Sequence, residues 1–122
     1  MWELTKTFWF ESAHTLDRVV EAESSRRIHG HSYRAQVTVK GTPDPETGMI
    51  IDLGSFDTAL QVARSGLDHR LLDEVQGLGA PTLENLCAWI WAKLESDIPN
   101  LHLVEVFRDS QGDRCGYRGG DI

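Results

Sequence analysis

Two segments near the amino terminus alternate between apolar and polar residues in the manner of β-strands. Residues 4–11 alternate and are rich in aromatic side chains, and a stronger alternation of period two runs over residues 28–41. One face of the second segment carries two histidines and four core-type residues, namely His29, His31, Tyr33, Ala35, Val37 and Val39. The sequence predicts two strands, joined by an irregular polar segment over residues 14–27.

Two segments with helical spacing of apolar residues follow. The first covers residues 55–65, with Ser55 as its N-cap and Gly66 as its stop, and the second runs from a cap at Thr82 to about residue 97.

Alternation then returns over residues 101–108, and a glycine-rich tail holds a short strand near 115–118. The order β-β-α-α-β-β predicts a single α+β domain over residues 1–122. We expect a four-stranded antiparallel sheet with both helices packed on one face.

The charge balance excludes some partners. The 122 residues include 12 Lys plus Arg against 19 Asp plus Glu, for a net charge of −7. This leaves no basic stripe for nucleic acid and disfavours an anionic membrane surface. No apolar run approaches the ~20 residues of a membrane helix, and no apolar stretch follows the first residues, so we expect a cytoplasmic protein. Cys87 lies on the apolar stripe of the second helix as a small hydrophobic residue, and the role of Cys115 stays open.

The two histidines of the surest strand indicate a metal site. Side chains two apart on a strand leave the same face, so His29 and His31 can converge on one ion. A catalytic zinc needs three protein ligands and an open position. His14, directly after the first strand, is the candidate for the third ligand. On spacing alone, ordinary strand histidines whose hydrogen bonds are satisfied remain the alternative interpretation.

Other polar residues admit two interpretations each. The adjacent Asp68 and His69 could transfer protons or could lie in a solvated loop. Thr82 and Glu84 serve as helix cap and helix-dipole partner, and Glu84 could also contact a ligand. The Arg26-Arg27 pair is compatible with substrate phosphates or with solvated loop charges.

Five segments in this order resemble the 6-pyruvoyltetrahydropterin synthase family, which includes the 6-carboxytetrahydropterin synthases of queuosine biosynthesis. They are His14, His29-Gly30-His31-Ser32-Tyr33, Thr47-Gly48-Met49-Ile50-Ile51-Asp52-Leu53, Leu67-Asp68-His69-Arg70-Leu71-Leu72 and Pro81-Thr82-Leu83-Glu84-Asn85. The resemblance implies a Zn²⁺-dependent lyase of reduced pterins, with His14, His29 and His31 as zinc ligands. It also implies a homo-oligomer, a hexamer built as a dimer of trimers, in which a neighbouring subunit supplies Asp68 and His69 for proton transfer.

The resemblance implies 7,8-dihydroneopterin triphosphate as substrate, and 6-carboxy-5,6,7,8-tetrahydropterin or 6-pyruvoyltetrahydropterin as product. Thr82, Glu84 and a carboxylate near the last strands would contact the pterin, and Asp109 with Ser110 stands where the family carries Glu-Thr. The family's catalytic cysteine, four residues before the first histidine of the pair, is replaced by Ser25.

A serine hydroxyl is a far weaker acid than a thiol, so Glu23 or Glu21 is the candidate substitute. Two alternatives follow from the missing cysteine. One is a retro-aldol side-chain cleavage without triphosphate elimination, and the other is a zinc-bearing pterin-binding protein without turnover.

Overall fold

The computed structural model describes residues 1–15 and 27–120. The elements, in chain order, are β1 (Trp2–His14), β2 (His29–Gly41), α1 (Leu53–Ser65), β3 (Arg70–Leu71), a 3₁₀ turn (Leu72–Glu74), α2 (Leu83–Leu94), β4 (Leu101–Arg108), a second 3₁₀ turn (Asp109–Gln111) and β5 (Asp113–Tyr117). Neither helix in the described ranges is long and apolar enough to cross a membrane.

The strands form one sheet in the order β3-β1-β2-β4-β5. The central pair, β1 and β2, is antiparallel and in register from Trp2 opposite Gly41 to His14 opposite His29. The predicted α+β class is confirmed, but the sheet has five strands rather than four and is mixed rather than purely antiparallel. The extra strand, β3, pairs parallel to β1 over only two residues, which is too short to leave a periodic signal in the sequence.

Several boundaries differ from the predicted ones, and α2 ends at Leu94 rather than near residue 97. The N-cap of α1 is Asp52 rather than Ser55, because the Asp52 carboxylate accepts a hydrogen bond from the Ser55 backbone N–H at 2.9 Å. β1 extends as far as His14, so this histidine lies in the ladder and not in a loop. The rest of the predicted irregular segment, residues 16–26, lies outside the described ranges.

Both helices pack on one face of the sheet and share one core with it. Phe10 and Tyr33 stack across β1 and β2 with ring centroids 4.8 Å apart, and Leu60 of α1 and Ile90 of α2 are fully buried in the same cluster. Burying such side chains is the main source of stability in a domain of this size. The core continues along β1 to His14, which is itself only 3% exposed, so the histidines begin where the apolar core ends.

Cys87 behaves as predicted for a small hydrophobic residue. It is buried in the core, where desolvation raises the pKa of its thiol, and its Sγ lies 3.4 Å from the Cys115 carbonyl oxygen.

Candidate metal centre and the adjoining cavity

The predicted histidine triad comes together at one end of the β1–β2 ladder. His14 lies opposite His29, and His31 lies opposite Ser12, so strand alternation places all three imidazoles on the helix-covered face. The His14 Nε2 atom lies 2.9 Å from His29 Nε2 and 3.0 Å from His31 Nε2. The three ligand atoms all lie within 4.8 Å of one another. No other such group of His, Cys, Asp or Glu occurs among the residues that the structure describes.

Backbone carbonyls accept hydrogen bonds from two of the three imidazoles, at the ring nitrogen that faces away from the triad. His14 Nδ1 donates a hydrogen bond to the Pro81 carbonyl at 3.2 Å, and His29 Nδ1 donates one to the Arg27 carbonyl at 2.7 Å. Because a carbonyl can only accept, each Nδ1 carries the proton and each Nε2 presents a lone pair. The two Nε2 atoms lie 2.9 Å apart with no proton between them. A cation bound by both nitrogens would satisfy both lone pairs.

Two of the three separations between ligand atoms are compatible with a tetrahedral zinc ion. Nitrogens bound to one zinc at about 2.0–2.1 Å lie about 3.3 Å apart, and both contacts of His14 Nε2 fall within about 0.4 Å of that value. Three neutral imidazoles are a donor set that zinc prefers, and carbonyls behind the ligands are the usual way of fixing their orientation.

Burial favours the ligating, neutral form of His14 and His31. Desolvation, followed by the neighbouring imidazole of His29, lowers the pKa of His14. Desolvation, followed by the neighbouring His14 and then Arg108, lowers the pKa of His31 to about 4. Both imidazoles are therefore neutral near pH 7 and hold free lone pairs. Burial also raises the pKa of Tyr33, whose Oη lies 3.4 Å from His14 Nδ1, to about 12, so its phenol is neutral.

Arg108, a residue that sequence reasoning missed, completes this end of the sheet. It is the last residue of β4 and shares the core-facing side of that strand with Val104 and Val106. Its Nε donates to Asp113 Oδ2 at 3.0 Å, and its Nη2 contacts the same oxygen. Its Nη1 lies 3.2 Å from His31 Nε2, so the guanidinium reaches the triad directly.

A cavity of about 180 Å³ opens beside the triad. It is lined by His14, Tyr33, Pro81, Thr82, Leu83, Glu84 and Arg108. Two of the predicted substrate contacts, Thr82 and Glu84, are therefore placed at the cavity. The Thr82 hydroxyl also accepts a hydrogen bond from the Asn85 backbone N–H at 3.1 Å, which caps α2 as predicted.

Asp68 and His69 form a fixed pair near β1. Asp68 Oδ1 accepts from the Glu11 backbone N–H at 2.9 Å, and Asp68 Oδ2 lies 2.8 Å from His69 Nδ1 and 3.1 Å from Arg64 Nη2. The Glu11 hydrogen bond is the main reason that the pKa of Asp68 is lowered. His69 has a left-handed backbone, with φ of 56°, and its side chain is 79% exposed. His69 and His31 both line a second, more open cavity of about 470 Å³.

Asp109, the carboxylate expected to anchor a pterin, does not line either of these cavities. Its two oxygens accept from Arg34 Nε and Nη2 at 2.8 and 2.9 Å. Arg34 lies on the face of β2 opposite the histidines, because it is an odd number of residues from His29 and His31. Ser25 and Glu23, with Glu21 and Arg26, lie outside the described ranges.

Comparison with known proteins places the chain in one family. The family model for 6-pyruvoyl tetrahydropterin synthase matches residues 3–120. A 6-carboxy-5,6,7,8-tetrahydropterin synthase from Synechocystis is 42% identical over 112 residues, which cover 87% of this chain and 85% of that protein. The 6-pyruvoyl tetrahydrobiopterin synthase of Homo sapiens is 37% identical over 97 residues, covering 75% of this chain and 66% of that protein.

The fold agrees with a solved structure of the same kind. The 6-pyruvoyl tetrahydropterin synthase of Caenorhabditis elegans superimposes with a TM-score of 0.83 at 23% identity, covering 98% of this chain and 96% of that one. Together with the sequence matches, this bears out the resemblance carried by the five segments. The chain belongs to the 6-pyruvoyl tetrahydropterin synthase family, whose members are lyases acting on pterins.

Proposed function

We propose that this lyase is zinc-dependent and converts 7,8-dihydroneopterin triphosphate to 6-carboxy-5,6,7,8-tetrahydropterin. The convergence of three Nε2 atoms, two of them with lone pairs fixed by carbonyls behind the rings, is the observation that carries the proposal. The choice of product is supported by the 42% identity to a protein named for that compound, against 37% to the human protein named for the pyruvoyl compound.

In this proposal His14, His29 and His31 hold the zinc ion. When bound, zinc supplies a Lewis acid that polarises hydroxyl groups of the substrate side chain and makes them more acidic. The chain itself keeps His14 and His31 neutral by burial, and it fixes the rings of His14 and His29 through the Pro81 and Arg27 carbonyls.

The pterin would lie in the cavity beside the triad. Its guanidine-like edge presents two N–H donors, which match the two oxygens of a carboxylate. Glu84 is the carboxylate among the residues that line this cavity, and Asp109 is held by Arg34 instead. We therefore assign the anchoring role to Glu84, with Thr82 beside it at the start of α2.

Proton transfer is assigned to Asp68 and His69. The Asp68 carboxylate accepts from His69 Nδ1, which leaves His69 Nε2 free to take a proton. The His69 ring is exposed, which supports a site that a second copy of the chain completes. We therefore propose a homo-oligomer, a hexamer assembled as a dimer of trimers. Ser25 and Glu23 stand as further candidates for the base that replaces the family's cysteine.

Product mass after incubation with 7,8-dihydroneopterin triphosphate tests the reaction. The proposal expects 6-carboxy-5,6,7,8-tetrahydropterin with uptake of water and release of triphosphate and of acetaldehyde, which carries the other two carbons of the side chain. It also expects one zinc per chain that is lost in His31→Ala. A product cleaved in the side chain with no triphosphate released would indicate the retro-aldol alternative. Zinc-loaded protein that binds the pterin and returns it unchanged would indicate a binding protein without turnover.

The missing cysteine has a separate test. We expect Ser25→Cys to increase elimination activity, because a thiolate is a readier base near neutral pH than a serine hydroxyl. An unchanged rate would argue that proton transfer does not limit this enzyme.

A further inference from the structure

We propose that Arg108 binds an anionic group on the substrate side chain beside the metal centre, and so determines which pterins the site accepts. The ligand chemistry is a carboxylate or phosphate oxygen. The inference rests on the proposed function for the pterin itself, but the anion-binding role follows from the chain's own contacts.

The guanidinium is oriented by one partner and left open on the other side. Asp113 accepts from Arg108 Nε and Nη2 through a single oxygen, Oδ2. This fixes the plane of the guanidinium and directs Nη1 toward His31 Nε2, 3.2 Å away. A fixed guanidinium loses little side-chain entropy when it binds a ligand, which favours specific recognition.

A metal ion bound to the triad would take the lone pair that now accepts a hydrogen bond from Arg108 Nη1. In the structure its partner is the His31 Nε2 atom, whose lone pair is one of the three that a metal ion would take. An occupied triad would leave Nη1 without that acceptor and next to a divalent charge. Asp113 offsets one unit of positive charge, so an anionic oxygen that contacts both Nη1 and the metal centre is the group that this arrangement favours.

The cavity beside the triad has opposite charges among its lining residues. Glu84 and Arg108 both line it, together with the neutral phenol of Tyr33. A ligand with N–H donors on its ring and an anionic side chain matches both charges at once. A pterin with an uncharged side chain would still pair its ring N–H donors with Glu84, but it would offer no anionic partner to Arg108 Nη1. This difference is the physical basis for discrimination.

Cobalt-loaded protein titrated with small anions tests the role of Arg108 without any pterin. The visible Co²⁺ spectrum is followed during separate titrations with acetate and with inorganic phosphate, which distinguish the two sources of anionic oxygen. We expect Arg108→Gln to weaken the preferred anion about 10- to 100-fold, since hydrogen bonds between charged groups have this strength. The matched control is Arg34→Gln, which removes an equally carboxylate-paired guanidinium from the opposite face and should leave the titration unchanged.

Unreactive pterins then test discrimination by equilibrium fluorescence. The pairs are pterin-6-carboxylate against 6-hydroxymethylpterin, and neopterin phosphate against neopterin. The wild-type protein should prefer the anionic member of one pair, and Arg108→Gln should lose that preference while Arg108→Lys keeps part of it. An Arg108→Gln protein with the wild-type preference and wild-type anion titration would overturn the inference.

Two further outcomes separate this inference from the proposed function. If no pterin binds but the cobalt titration still depends on Arg108, the proposed function fails and the anion site stands. If Arg108→Gln does not fold, Asp113→Asn, which releases the guanidinium from its fixed orientation, should weaken the same anion. Unchanged anion affinity in Asp113→Asn would count against the inference.

Discussion

The histidine triad should make the metal-free protein lose stability in mild acid. The pKa of His31 is lowered from 6.5 to about 4, first by burial and then by the neighbouring His14. Below pH 6.5 the unfolded chain therefore binds a proton that the folded protein does not bind until about pH 4. The free energy of unfolding falls across this window as the pH drops, and the loss from this group is complete below it.

The size of the effect follows from the pKa difference. One unit corresponds to about 1.4 kcal/mol, so the shift of His31 gives about 3 kcal/mol as an upper bound, and partial contact with water reduces this to about 1–2 kcal/mol. His14, whose pKa is also lowered by burial, adds a loss of the same sign. This is a large share of the total stability of a small domain.

Urea titrations monitored by tryptophan fluorescence measure this loss of unfolding free energy. They are run from pH 7 to pH 4 in the presence of a chelator. His31→Gln should flatten the pH dependence, whereas His102→Gln, near the other end of β4 from Arg108, should retain it. Saturating zinc should move the loss to lower pH, since a bound metal holds the imidazoles in the neutral form. Parallel pH profiles for the wild-type protein and His31→Gln would refute the reasoning.

Three other changes have defined outcomes. Asp68→Asn should lower kcat about 10²- to 10⁴-fold in steady-state assays while metal analysis finds an unchanged zinc content, because Asp68 contacts His69 and not the triad. Leu60→Ala should reduce the free energy of unfolding by about 2–5 kcal/mol in urea titrations, since Leu60 is 1% exposed; a loss below about 1 kcal/mol would contradict its place in the core. Gly66→Ala should cost about 1–3 kcal/mol in the same assay, because a Cβ there would lie 2.8 Å from Trp89 Cη2.

The histidine triad could be predicted because the rule behind it is local. Side chains two apart on a strand share a face, and the antiparallel register then brings the end of β1 beside the start of β2. The strand containing His29 and His31 had the clearest alternation in the chain, so their shared face followed from the sequence. Placing His14 beside them required the pairing of two strands. Its position directly after the first strand made His14 the candidate, and the family resemblance implied the same ligand.

Arg108 could not be placed in the same way. Both faces of β4 are apolar, with Leu103 and Phe107 on one and Val104 and Val106 on the other. Alternation therefore did not reveal which face was buried. The structure resolves this, because Arg34 lies over the Phe107 ring at 3.8 Å while Val104 and Val106 are fully buried.

The strand β3 shows a second limit. Its position depends on the left-handed backbone of His69 and on the hydrogen bond from the His69 backbone N–H to the Glu11 carbonyl at 2.7 Å. A tertiary contact between segments almost sixty residues apart leaves no local pattern.

The pairing of His14 with His29 has a consequence for how this family can diverge. These residues form the last pair of the β1–β2 ladder, so the sheet fixes both ends of the intervening stretch, and each end carries a candidate metal ligand. Insertions or deletions between them change the length of a closed loop, and the entropy of closure grows only slowly with length. The number of residues between His14 and His29 can therefore change at a small entropic cost while the two histidines keep their positions in the ladder.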